Sequence, residues 1–181
     1  MDSLRGQLLV AGPSLVDPNF WRTVVLVAEH TDEGAMGVIL NRPSETAVEE
    51  AVPLLSGLAE PDALVHVGGP VQPSAIVVLA EFDDPGAAAT VVLGNVGFVA
   101  VGTELDELAG QTDRVRGFAG HSGWGAGQLD EEVERGDWII EAAQRDDVFA
   151  DDPPRLWSEV LERKGGQYAL VARMPLDPSL N

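Results

Sequence analysis

Two apolar runs separated by a short polar stretch constrain this chain more than any other feature. Thr-Val-Val-Leu-Val-Ala-Glu-His occupies 23–30, and Ala-Met-Gly-Val-Ile-Leu-Asn occupies 35–41. The first run is β-branched and apolar, the pattern of a buried strand. Thr-Asp-Glu-Gly at 31–34 is turn chemistry, so the second run is placed to fold back on the first. The spacing predicts an antiparallel hairpin with a four-residue connection.

Other short apolar runs follow the same logic. Strands are expected at 6–12, 63–70, 74–82, 114–120, 137–142 and 168–174, with two more inside 90–101 around Gly94-Asn95. Helices are fewer. One is expected to start at Thr46, which stands in capping-box spacing with Glu49, and to be interrupted at Pro53. A short capped helix with a glycine stop fits 103–110. At 127–135 Leu129 and Val133 lie four apart with acids on the other face, an amphipathic helix. The best helical pattern takes Asp152 as N-cap and Pro153 as first residue. Its stripe is Leu156, Trp157, Val160 and Leu161, and Gly165 stops it. Strands outnumber helices, and hairpin links mix with helical ones. The residues therefore predict one α+β domain over 1–181 with a mainly antiparallel sheet, not a βαβ repeat.

Charge narrows the partners. Thirty Asp and Glu oppose eleven Lys and Arg, a formal net charge of -19, and Lys164 is the only lysine. Such a field repels phosphate backbones and anionic lipid. Arg114 and Arg116 come nearest to a basic cluster, and strand alternation would put both on one face. Direct nucleic-acid binding is not expected. With no Cys there is no disulfide, thiolate metal site or cysteine nucleophile, which fits a cytoplasmic protein. The first residues are too weakly apolar for a signal peptide, and no run approaches a membrane helix.

Gly-Phe-Ala-Gly-His-Ser-Gly-Trp-Gly-Ala-Gly-Gln-Leu-Asp-Glu-Glu at 117–132 is the stretch richest in possible chemistry. Gly120, Ser122 and Gly123 approach the nucleophile elbow, but Trp124 stands where the elbow needs a glycine. His121 is adjacent to Ser122 and would point away from it, so a triad would need His30 or His66. The glycines could cradle an anion, yet Asp130, Glu131 and Glu132 fall in the first turn of the helix and oppose one. The three His lie far apart in sequence, and the Asp-Asp pairs lack a calcium-loop pattern, so no metal or other cofactor is expected. The remaining reading is a tight crossing. Its glycines allow close backbone contact, Trp124 covers core, and the Gln128 amide ties down loop carbonyls.

These residues carry a family resemblance. Asp17-Pro18-x-Phe20, Glu29-His30, Gly37 with Asn41-Arg42-Pro43, Gly68-Gly69-Pro70, and Gly123-Trp124-x-x-Gly127-Gln128-Leu129-x-x-Glu132 occur in order. The chain resembles the bacterial AlgH/YqgE family from about Gly6 to its last strand. The resemblance implies a single compact domain with a barrel-like, largely antiparallel sheet flanked by helices. It implies no established enzymatic activity and no cofactor. One member's name links the family to transcriptional regulation of alginate production. Members commonly carry Tyr-Ala or Tyr-Ser where this chain has His121-Ser122, which weakens Ser122 as a nucleophile.

The expectation is a non-enzymatic, cytoplasmic regulatory or binding protein with an unidentified protein or small-molecule partner. A serine hydrolase using Ser122 and a ligand-free structural or assembly factor are the alternatives. If the loops after the strands converge on Trp124, His30, Asn41, Arg42, Gly68, Gly69, Pro70, Gly123, Trp124, Gly127 and Gln128 would line a binding cleft. Arg42 would either pair a carboxylate ligand or salt-bridge a neighbouring Glu.

Overall fold

The computed structural model describes residues 2–176. Its first strands are β1 (Gln7–Ala11), β2 (Val24–Thr31) and β3 (Gly34–Ile39). The hairpin β2–β3 forms as expected, but its connection is tighter, with only Asp32 and Glu33 outside the ladder. β4 (Pro43–Ala47) and the short α1 (Val48–Ala51) come next. Here the predicted helix start is wrong. Thr46 lies in β4, paired with the following strand, and no side chain caps α1. The interruption at Pro53 is real, since a 3-10 turn begins there.

β5 (Leu64–Val67), β6 (Val71–Phe82), β7 (Thr90–Leu93), β8 (Val96–Phe98) and α2 (Leu105–Leu108) follow. Among them β7 and β8 flank Gly94-Asn95 as predicted. β9 (Thr112–Gly125) is twice the length expected. α3 (Gln128–Glu134), β10 (Trp138–Ala142), α4 (Arg145–Val148), α5 (Leu156–Lys164) and α6 (Gln167–Val171) complete the chain. Asp152 makes no side-chain cap, because a 3-10 turn over Pro153–Arg155 precedes α5. Gly165, with φ 76°, ends α5 as predicted. The strand expected at 168–174 is instead α6, turned back along α5 by Gly165 and Gly166, both at positive φ.

The sheet runs β10-β1-β2-β3-β9-β6-β8-β7, with β4 and β5 branching off β9. Every pairing of these strands is antiparallel except β5 with β9. The path stays open, ending at β10 and β7, so it is not a closed barrel. β9 holds it together: residues 122–125 pair with β3, and 112–121 pair with β6.

β1 shows why its sequence is an unbroken apolar run. Leu8 and Val10 face a core filled by Leu156, Trp157, Val160 and Leu161 of α5. Leu9 and Ala11 face a second core with Trp124, Leu129 and Trp138. Both faces are covered, so alternation has no use here. Trp157 Nε1 also donates to the Ala11 carbonyl at 2.9 Å, fixing α5 on β1. A third, smaller core gathers Val48, Leu55 and Val65 beneath β9.

Candidate functional site

The segments singled out by sequence do meet, but as packed backbone. Gly68 donates its N–H to the Ala119 carbonyl, while its own carbonyl accepts from Ile39 N–H and from Ser122 Oγ at 3.1 Å. A side chain at Gly69, whose φ is 153°, would place Cβ 2.2 Å from the His121 carbonyl carbon. Gly120, at φ 73°, faces the Gly69 carbonyl from the other side. Only glycine admits backbones this close. The link from β5 to β6 thus crosses β9 in contact, with Pro70 exposed beside it.

Asn41, just after β3, is buried against the start of β2, accepting from Val24 N–H at 2.9 Å and donating to the Arg22 carbonyl at 2.9 Å. Arg42 takes neither role expected of it. Its guanidinium donates to the carbonyls of Asn19 and Trp21, clamping the loop that carries Asp17-Pro18. Burial lowers its pKa, with the Asp17 charge opposing. Ser122 is fully buried and donates to a carbonyl, and neither His30 nor His66 is bonded to it. A nucleophile needs a base within hydrogen-bond reach, and this serine has none among the described residues.

The remaining sequence candidates sit around α3. Trp124 is 6% exposed and lies in strand β9, not in a loop. Its Nε1 donates to Glu132 Oε2 at 2.9 Å, and Trp138 Nε1 donates to the same oxygen at 2.8 Å. Phe20 completes the aromatic cluster, 5.6 Å from Trp138 and 6.1 Å from Trp124. Gly127 enters α3 at φ 72°. Gln128 holds the N–H at the end of β9, not loop carbonyls: its Oε1 accepts from Gly125 N–H at 3.0 Å, and its amide donates to Glu132. Gly123 is exposed and needs no positive φ. His30 Nδ1 accepts from Leu4 N–H, and its Nε2 lies 3.7 Å from Asp130. No three His, Asp or Glu among the described residues gather as a metal requires.

The site that chemistry points to lies elsewhere, along β9. β5 pairs with β9 only at Phe118 and Ala119, so this edge of β9 has no strand partner from Asp113 to Gly117 among the described residues. A cavity of about 140 Å³ fills that place. Val48, Leu55, Leu58 and Val115 give it apolar walls, and Phe149 closes it from the segment after α4. That segment is held by charge. Buried Glu81 accepts from Arg114 at 2.7 Å and Arg145 at 2.8 Å, and Asp147 takes both amino groups of Arg163. Arg114 and Arg116 do share a face, since both reach residues 146–150.

Besides the charged residues Glu60, Asp113, Arg114 and Asp151, two polar side chains of β5 and β9 line the cavity, His66 and Arg116. Arg116 donates through Nη1 to the carbonyls of Val148 and Ala150, at 3.3 and 3.1 Å. Burial lowers its pKa, while Glu60 and Asp151 at the rim oppose that shift. His66 is 4% exposed, with its ring 5.7 Å from that of Phe118. Its Nδ1 lies 3.2 Å from the Leu64 carbonyl, and its buried Nε2 has no hydrogen-bond partner. Such a group costs about 1–3 kcal/mol. Burial, then the nearby Arg116 charge, pushes the imidazole down to about 4, against the Leu64 bond. The ring is therefore neutral near pH 7. In the sequence His66 stood out only as a possible triad partner for Ser122, a role it does not take. Leu55, Phe149, Glu60 and Asp151 carried no signal, because the fold alone brings them together.

Comparison with known proteins places the chain in a family. A family model described as AlgH-like matches residues 8–169. A UPF0301 protein of Thermobifida fusca is 44% identical over 99% of this chain and 96% of its own length. One from Chlorobaculum tepidum is 41% identical over 97% and 95%. A crystal structure of a Corynebacterium diphtheriae protein superposes with TM-score 0.87 at 29% identity, covering 93% of this chain and 91% of the other. The solution structure of AlgH from Pseudomonas aeruginosa gives 0.71 at 29%, covering 97% and 96%.

Proposed function

The chain belongs to the AlgH-like family, and from that premise we propose that it is a non-catalytic, cytoplasmic binding protein whose ligand site is the cavity between His66 and Arg116. The observation that carries this reading is the unpartnered Nε2 of buried His66, set in an apolar-walled cavity beside a guanidinium. Binding pockets combine apolar walls with a few oriented polar groups in this way. The packing of Ser122 supports the absence of hydrolysis. Any regulatory role would act through the ligand or a protein partner, since a net charge of -19 disfavours contact with DNA.

The test is a fragment screen by amide NMR, using small acids, amides, amines and hydrocarbons. At least one class should shift Val65–Val67 together with Val115–Phe118. If none does at millimolar concentration, the cavity is not a binding site. A fluorophosphonate probe should leave Ser122 unlabelled. An esterase activity lost in Ser122→Ala would replace this reading with the hydrolase.

A further inference from the structure

We propose that this cavity is built for a neutral cyclic amide, a single six-membered ring whose N–H is donated to His66 Nε2 and whose C=O accepts from Arg116. The inference rests on the binding reading above and adds the ligand's chemical class.

The tautomer of His66 sets the first requirement. A carbonyl oxygen only accepts, so Nδ1, at 3.2 Å from the Leu64 carbonyl, carries the hydrogen. Nε2 then presents a lone pair, buried and without a donor. The ligand must bring a hydrogen to it. Arg116 sets the second requirement. It uses Nη1 for two backbone carbonyls, and its other nitrogens donate to no acceptor among the described residues. Those nitrogens are left to pair with a ligand's acceptor. His66 lies opposite Phe118 in the register, and Phe118 is two residues on from Arg116, so the three share one face. Both requirements therefore fall on the same side of the ligand.

Charge and size exclude the neighbouring classes. Glu60, Asp113 and Asp151 line the cavity, while Arg114 is already committed to Glu81 and Asp146. A carboxylate would meet three acids with one guanidinium free, and it has no hydrogen for Nε2. An ammonium would face Arg116. A hydrocarbon would leave both polar groups unpaired. A volume of about 140 Å³ is close to that of the apolar cavity that accepts one benzene molecule, so one ring fits.

2-Pyridone carries the N–H and C=O side by side, and N-methyl-2-pyridone lacks only the N–H. Titrating the full chain with these two, with benzoate and with toluene, followed by amide and His66 ring nitrogen shifts, tests the proposal. 2-Pyridone should move the His66 Nε2 resonance and bind at least about tenfold more tightly than the other three. His66→Phe, checked as folded by its amide spectrum, should abolish that preference. Arg116→Met should do the same by its own route. Benzoate or toluene binding as tightly as 2-pyridone overturns the amide class but leaves the binding reading intact. A 2-pyridone preference that survives in His66→Phe overturns the class too. If no probe shifts residues lining the cavity, the binding reading itself falls.

Discussion

Two indoles, Trp124 and Trp138, both donate to the Glu132 carboxylate, so a single residue aligns strand β9, strand β10 and helix α3. Trp124→Ala would remove one of the three hydrogen bonds that carboxylate accepts and open a void beside Leu129 and Phe20. A loss of roughly 3–5 kcal/mol is expected in denaturant unfolding. A ligand-stacking tryptophan would cost far less. His66 gives a second prediction. An unfolded His titrates near 6.5, whereas folded His66 titrates near 4. As pH falls between those values, the unfolded chain takes up the proton first, and stability drops by on the order of 3 kcal/mol. His66→Gln lacks this titration. Its unfolding free energy should approach that of the parent chain as pH is lowered from 7 to 4, and a constant difference would show that His66 is not held neutral. At this scale the sequence expected Trp124 to cover core, and it does, but it set Asn41 in a cleft and tied Gln128 to loop carbonyls, whereas both hold backbone groups of the fold. It misassigned Arg42, because a guanidinium in an acidic chain reads as seeking acids while its actual partners are backbone carbonyls with no sequence signature.

Elements were legible where their causes are local. The β2–β3 hairpin, the strands flanking Gly94-Asn95 and the Gly165 stop follow from neighbouring residues alone. β4 is polar and became a strand only because β5 offers it an edge. The apolar run of α6 is too short for its period to separate helix from strand, and its packing against α5 decided the outcome. β9 was cut short in the reading because Gly123 and Gly125 look like turn residues. They are ladder residues paired with Met36 and Gly34. The crossing of the β5–β6 link over β9 separates two kinds of glycine. Gly69→Ala should destabilise by about 2 kcal/mol or more, since its Cβ would overlap His121 backbone. Gly123→Ala, whose nearest new neighbour is a Val71 methyl at 3.7 Å, should stay within about 1 kcal/mol. Thermal or denaturant unfolding of the pair compares them directly, and equal losses would remove the argument from contact.

For the molecule as a whole, a charge of -19 sets the behaviour towards polyanions. Anisotropy titration with duplex DNA at low salt should show no binding below about micromolar concentration, and a tight, salt-sensitive isotherm would contradict that. The longest strand has a different reach. β9 is paired to β3 at one end and to β6 and β5 along the rest, so neither side of the sheet can open without stripping hydrogen bonds from the other. Its partners at Gly34 in β3 and Phe82 in β6 are far apart in sequence. Most of the fold must therefore be assembled before β9 is secure, and refolding should be slow for a chain of this length. Hydrogen exchange should register the same linkage. The amides of Val25 in β2 and Leu79 in β6, on opposite sides of β9, should exchange only through global opening, with one shared free energy, so that the chain behaves as a single cooperative unit.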